Sequence, residues 1–406
     1  MFVIKRELYL KEIRNFIDKP VIKVITGMRR SGKSMILKLI SKELLEKGTS
    51  PQNIIYINFE SLMFSELTEF QTLYKHIIEK AQTLTGKIYI LLDEIQEVSH
   101  WEKAINSFMV DLDCDIYITG SNANLLSSEL ATYIAGRYIE IKIYPLSFKE
   151  YIDFAKIQNP QNILTNEEYF NEYLQFGGLP GIHNFNYDKN NVYQYLSDIY
   201  SSILLKDVVA KNNIRDVELL ERIILYIFDN IGNTFSAKNV SDFLKSQGRK
   251  LSRETVYNYL KALENAYILS SVQRYDIKGK ALLETMEKFY LMDLGFRHAK
   301  LGYRSNDIAG YLENIIYLEL LRRKYTINIG KIQTKEIDFI GTLLDQKLYI
   351  QVTYLLASPE TIEREFSPLK SINDNYPKYV LSMDNLGEYN IDGIIRKRVI
   401  DFLLDV

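Results

Sequence analysis

Gly27-Met28-Arg29-Arg30-Ser31-Gly32-Lys33-Ser34 follows the G-x-x-x-x-G-K-[ST] spacing of a phosphate-binding P-loop. Glycines in that spacing let backbone N–H groups curl around phosphate oxygens. The lysine reaches the β- and γ-phosphates, and the last hydroxyl can hold Mg²⁺. Arg29, Arg30, Ser31 and Met35 complete the expected binding segment around Gly27, Gly32, Lys33 and Ser34. Downstream, Ile90-Leu91-Leu92-Asp93-Glu94 is an apolar run closed by two acids. Asp93 is placed to join Ser34 in holding the metal, and Glu94 to polarise an attacking water. The same two acids could instead cap a helix, whose first turn favours negative charge. In Thr119-Gly120-Ser121-Asn122, either Asn122 or Ser121 could touch a terminal phosphate or the water. Arg137 could serve as an arginine finger, in cis or from a neighbouring subunit, or simply be a solvated charge.

These residues need a scaffold, and five apolar runs supply one: Val21–Thr26, Ile54–Phe59, Ile88–Asp93, Ile116–Gly120 and Tyr138–Tyr144. Helical spacing separates most of them. Ile36, Leu37, Ile40, Leu44 and Leu45 give one such helix, with Gly48 as its stop. Strands alternating with helices predict a parallel sheet covered on both faces, with ligands beyond the carboxyl ends of its strands. Strand, glycine loop and helix in succession aim a helix N-terminus at the phosphates.

The remaining composition mostly excludes. The 406 residues allow two or three domains, and a net charge of −2 announces no global attraction to nucleic acid or membrane. One cysteine, Cys114, rules out an intramolecular disulfide framework. Four histidines, His76, His100, His183 and His298, lack metal-ligand spacing. No run approaches the roughly 20 apolar residues of a membrane span. Early acids interrupt any signal-peptide core, so a cytoplasmic location is expected.

Four segments now carry a resemblance: GMRRSGKS at 27–34, LDEIQEVSHW at 92–101, TGSNANLL at 119–126 and GRYIEIKIYPLSFKEY at 136–151. Together they resemble the prokaryotic AAA-type ATPases that carry a C-terminal domain of long-uncharacterised function. The resemblance implies an α/β fold with an ASCE-type P-loop parallel sheet over residues 1–150. It also implies ATP in preference to GTP, with Mg²⁺. By match, Lys33, Ser34, Asp93 and Glu94 inherit binding and hydrolysis roles.

Residues 151–215 read as a helical lid and linker around Phe176-Gly177-Gly178-Leu179-Pro180-Gly181, similar to a turn of the same family. Over 216–300, helices at Val217–Asn230 and Ser236–Gly248 and a third capped by Ser252 precede alternating segments Leu269–Tyr275 and Ala281–Met292. Three helices and a hairpin predict a winged helix. The third helix presents Arg253, Tyr257, Asn258 and Lys261 on its outer face. From Ser236 to Leu282 there are nine Lys and Arg against four Asp and Glu. That local surplus fits contact with DNA phosphates, and equally a solvated face beside a protein-packing module.

Over 301–406, a helix carrying Glu313 precedes strands carrying Asp338 and Gln351. This order resembles the restriction-endonuclease-like PD-(D/E)xK core, whose acids hold Mg²⁺ and whose lysine helps activate water. Glu313 and Asp338 match the acids. Gln351 replaces the second strand acid, and Thr353 stands where the lysine belongs, with Lys335 and Lys347 nearby as substitutes. Glu336 and Asp338 could alternatively be strand-edge charges. The expectation is thus an ATP hydrolase acting as a switch or motor with a DNA-related output domain. The alternatives are an ATP-gated nuclease and a non-hydrolysing ATP-binding scaffold. A homo-oligomer would be needed for a finger acting in trans, and no protein partner is legible.

Overall fold

The computed structural model describes residues 4–126, 134, 136–246, 252–385 and 387–405. Contacts divide it into two compact units, Met1–Ile143 with Asn265–Tyr267, and Tyr144–Glu264 with Ile268–Val406. The division falls a few residues before the expected boundary at 150. Apart from Asn265–Tyr267, the three expected downstream segments lie in one unit.

In the first unit, all five apolar runs are strands: β1 (Ile22–Gly27), β2 (Ile54–Asn58), β3 (Ile88–Asp93), β4 (Cys114–Gly120) and β5 (Tyr138–Ile143). They pair in the order β2-β3-β4-β1-β5, every pairing parallel. Helices α1 (Glu7–Arg14), α2 (Lys33–Glu46), α3 (Phe70–Ala81) and α4 (Trp101–Asp111) cover it. Period-two alternation sorts the side chains between the faces. Val24, Ile90, Leu92 and Ile118 pack with α3 and α4, and Ile25, Leu91, Tyr117 and Ile141 with α1 and α2. Covering both faces explains why these strands read as unbroken apolar runs.

One ion pair interrupts that core. The Lys23 and Asp115 side chains are 0% and 1% exposed and in direct contact. Tyr117 donates to Asp115 at 2.8 Å, and the Asp18 N–H donates to it at 2.9 Å. Burial pushes the Lys23 ammonium down, and Asp115 counteracts it. The pair sits near the amino ends of β1 and β4, away from the P-loop.

The second unit opens with α5 (Phe148–Gln158), α6 (Asn166–Phe176) and α7 (Lys189–Ile203). Ser147 with Glu150 and Thr165 with Glu168 form capping boxes that start the first two. Between α6 and α7, Gly177 has φ +76°, and a Cβ there would lie 1.9 Å from Asp293 Oδ1. The glycine makes room for Asp293 to accept from the Gly178 N–H at 2.8 Å. Burial pushes the Asp293 carboxyl up to about 7 against these amide donors.

Helices α8 (Val217–Asp229), α9 (Ala237–Ser246) and α10 (Arg253–Asn265) follow, with the two-residue β6 (Thr234–Phe235) before α9. The expected end of the second helix, Gly248, lies outside the described residues. Strands β7 (Leu269–Asp276) and β8 (Ala281–Leu291) form an antiparallel hairpin. Then come α11 (Leu294–Leu301), the almost wholly buried α12 (Ile308–Arg322), and strands β9 (Thr326–Ile332), β10 (Lys335–Leu343) and β11 (Gln346–Val352). The chain continues through α13 (Pro359–Lys370), β12 (Lys378–Ser382), β13 (Tyr389–Ile391), β14 (Ile394–Arg398) and α14 (Val399–Leu404).

The strands make one mixed sheet, β13-β14-β12-β11-β10-β9-β7-β8-β6. Its joint is parallel pairing of Arg274–Asp276 with Ile329–Lys331. A hairpin edge left with open N–H and C=O groups is a template for another strand, and β9 supplies it. The hairpin expected within 216–300 and the strands expected within 301–406 therefore share a sheet.

Lys23→Met should leave the Asp115 charge buried without its partner and cost about 3–5 kcal/mol. Lys23→Met combined with Asp115→Leu should recover most of that loss. Urea unfolding of the three proteins checks both, and a double variant no more stable than the single one would refute the account.

Candidate nucleotide site

The P-loop begins where β1 ends. Gly27 has φ +139°, and a Cβ there would lie 2.2 Å from the Ile143 carbonyl oxygen on neighbouring β5. Only glycine fits. Arg30 and Gly32 also have positive φ, and α2 starts at Lys33. The loop thus turns directly into a helix N-terminus, whose free N–H groups favour anions. Buried Arg6 donates to the Ser31 carbonyl at 2.8 Å and braces the loop from behind. No local motif marked Arg6 in the sequence.

Lys33 is buried, donates to the Met28 carbonyl at 3.2 Å and lies 3.6 Å from Glu94. Burial pushes its ammonium down, opposed chiefly by Glu94 and Asp93. For Glu94, burial disfavours the charge, but Lys33, Gln96, Arg29 and Ser121 outweigh it and hold the carboxyl below its ordinary range. Gln96 donates to Glu94 at 2.5 Å. Glu94 has φ +57°, and its side chain caps no helix, so the capping alternative fails.

Asp93 is fully buried and receives three hydroxyls: Ser34 at 3.1 Å, Thr119 at 2.6 Å and Tyr56 at 3.0 Å. Thr119 also accepts the Glu94 N–H at 2.9 Å, so one β4 hydroxyl orients both acids. Thr119 and Tyr56 were not singled out from the sequence. Their available signal was a polar group near the carboxyl end of a neighbouring strand. The adjacent oxygens of Ser34 and Asp93 suit a hard cation such as Mg²⁺, and the buried Ser31 hydroxyl has no protein partner. Ser121 and Asn122 are both buried at the end of β4, with Ser121 among the groups favouring the Glu94 anion. Arg29 lies 3.6 Å from Glu60, Arg30 is exposed, and Met35 is half-buried in the first turn of α2.

Arg137 is elsewhere. Its carbonyl accepts the Ile22 N–H at 2.7 Å, at the amino end of β1. Five residues at about 3.3 Å each put it roughly 16 Å from Gly27. A finger acting in cis is therefore corrected, because β5 runs parallel to β1 and carries Arg137 at the wrong end.

In the second unit, Glu313, Asp338 and Gln351 do come together. The Gln351 carbonyl accepts the Asp338 N–H at 2.8 Å, and the Asp338 carboxylate accepts the Val352 N–H at 2.8 Å. Lys288 of β8 lies 2.9 Å from Glu313, 2.8 Å from Glu336 and 3.8 Å from Asp338. Buried Glu365, which accepts from Gln351 at 3.0 Å, joins them. Sequence spacing offered no reason to choose Lys288. The strand-edge reading of Glu336 and Asp338 is also corrected, since β10 lies between β11 and β9. Buried Thr353 leaves its position without a cation.

On α10, Val256, Leu260 and Leu263 turn inward while Arg253, Tyr257, Asn258 and Lys261 are exposed. Asn258 and Lys261 border a groove of about 420 Å³ with Asn212, Asn213 and Arg215. No helix among the described residues is long and apolar enough to cross a membrane.

Residues 19–152 match the AAA domain family, and residues 167–307 match the domain of unknown function DUF8612. An uncharacterized protein of Haemophilus influenzae is 40% identical over 99% of both chains. An uncharacterized protein of Methanocaldococcus jannaschii is 32% identical over 98% of this chain and 88% of its own. The chain belongs to their family. A Walker-type ATPase of Pyrococcus abyssi superposes with TM-score 0.52 and 15% identity, covering 73% of this chain and 95% of its own. The first unit carries an AAA-type P-loop ATPase fold built on a parallel five-stranded sheet.

Gly27→Ala should force the AAA-type unit's loop off Ile143, costing about 2–4 kcal/mol and abolishing ATP binding. Thermal melting together with nucleotide titration tests this, and unchanged affinity would count against the loop geometry described.

Proposed function

We propose that this protein is an Mg²⁺-dependent ATP hydrolase acting as a nucleotide-driven switch or motor. The observation that carries the reading is the 3.6 Å approach of Lys33 to Glu94 beside the Ser34–Asp93 hydrogen bond. A phosphate in the loop competes with Glu94 for the buried ammonium. Drawn towards phosphate, Lys33 releases a carboxylate that then orients water. Thr119 holds the backbone of Glu94 and the carboxylate of Asp93 in fixed relation, and Tyr56 fixes the other Asp93 oxygen. Ser34 and Asp93 would hold Mg²⁺, which supplies charge neutralisation on the phosphates. Ser121 and Asn122, both buried at the end of β4, are the sensor candidates.

In this reading the three helices and hairpin over 216–300 act as a winged helix, and 301–406 is a nuclease-like scaffold. The exposed Arg253, Tyr257, Asn258 and Lys261 support DNA contact, since a recognition helix presents such side chains to a groove. Arg137, far from its own loop and exposed, is suited only to a neighbouring subunit's site.

Glu94→Gln should bind ATP normally and release phosphate at least about 100-fold more slowly. A variant that turns over at the wild-type rate sinks the hydrolytic assignment. For the output, Arg253→Ala with Lys261→Ala should weaken binding to duplex DNA and flatten its log–log salt slope by about 2. Fluorescence anisotropy across a salt series reads both, and an unaltered slope would remove this helix from the interface.

A further inference from the structure

The carboxylate cluster of the second unit contains a cation of its own. Lys288 Nζ is within 3 Å of both Glu313 and Glu336 and 3.8 Å from Asp338, with its side chain 4% exposed. Other donors occupy three further positions of the cluster. Tyr290 donates to the same Glu313 oxygen as Lys288, Val352 N–H takes Asp338 Oδ2, and Asp338 N–H takes the Gln351 carbonyl. Glu365 is held by Gln351 at 3.0 Å and Arg364 at 2.7 Å.

Access is not what keeps a metal out, because Glu313 also borders a cavity of about 260 Å³ with Gly232, Asn233, Asp307 and Gly310. Even so, among the described residues no group of three or more His, Cys, Asp or Glu side chains could hold a metal ion. A hard divalent ion needs several free oxygens at short range, and here an ammonium holds the central position while Tyr290 and the Val352 N–H take oxygens of Glu313 and Asp338.

β8 and β10 are not neighbours in the sheet, since β7 and β9 lie between them. Their side chains nevertheless meet, through Lys288 with Glu336 and through Tyr290 with Phe339 at 5.6 Å between ring centroids. The sheet curls, and the ammonium bridges the curl.

We propose that Lys288 is an internal cation that fills this carboxylate cluster, displaces a divalent metal from it, and clamps the β7–β8 hairpin to α12 and β10. The unit then uses the acids of a nuclease-like arrangement as a mechanical joint. This does not rest on the ATPase reading. Burial, with Glu313 next, pushes the Asp338 carboxyl up despite Lys288.

Mn²⁺ sites are counted by electron paramagnetic resonance on the full chain as wild type, Asp338→Asn, Lys288→Met and Lys288→Met/Asp338→Asn. Wild type and Asp338→Asn should bind equal numbers, any common site belonging to the P-loop. Lys288→Met should gain one site, and the double variant should lose it. A wild-type site that Asp338→Asn removes overturns the proposal, as does a folded Lys288→Met that gains none. If Lys288→Met does not fold, the wild-type and Asp338→Asn comparison still decides. Mn²⁺-dependent plasmid nicking read on the same pair should be absent from both, and nicking by wild type alone refutes the internal cation.

Discussion

Three hydroxyls converge on one buried carboxylate, and the nucleotide site depends on that convergence. Ser34 arrives from the first turn of α2, Thr119 from β4 and Tyr56 from β2, all meeting Asp93 at the end of β3. A buried anion is tolerated only when its lone pairs are satisfied. The parallel order β2-β3-β4-β1 meets that condition by bringing these carboxyl ends side by side. Fixing Asp93 also fixes Glu94, because Thr119 holds both, and Glu94 in turn faces Lys33. The chemistry is a consequence of strand order.

The second unit solves a similar electrostatic problem in another way. Its sheet and α12 bring Glu313, Glu336 and Asp338 into a mostly buried cluster, and a lysine from the hairpin enters to offset them. The same unit secures its glycine turn by burying Asp293 under backbone amides and closing Gly177 against it. In both places a charged side chain joins segments distant in sequence, and burial makes the joint specific to one partner.

Local chemistry was legible where a motif and a period coincide. GMRRSGKS after a β-branched run, and LLDE at the end of another, identify loop, strand ends and acids before any folding. The helices around Ile36–Leu45 and Val256–Leu263 follow from apolar spacing, with Gly48 stopping the first and Ser252 starting the second. Arg137 shows the limit. The sequence allowed it to be a finger in cis, a finger in a neighbouring subunit or a solvated charge. A parallel strand begins at the opposite end from its neighbour's loop, and Arg137 begins that strand. Glu336 and Asp338 could alternatively be read as edge charges, because alternation does not say which strands flank β10.

By itself, the sequence determined the elements and the groups with the chemical capacity for phosphate and metal, since both depend on residues near one another along the chain. Tertiary structure alone decided which groups serve one another. Thr119 with Asp93, Arg6 with Ser31, and Lys288 with Glu313 are each joined by the packing of separate elements, 25 or 26 residues apart in sequence. Lys288 in particular is a residue that no spacing rule could nominate. Coulomb attraction in a buried site depends on distance in space, and only the folded sheet sets that distance.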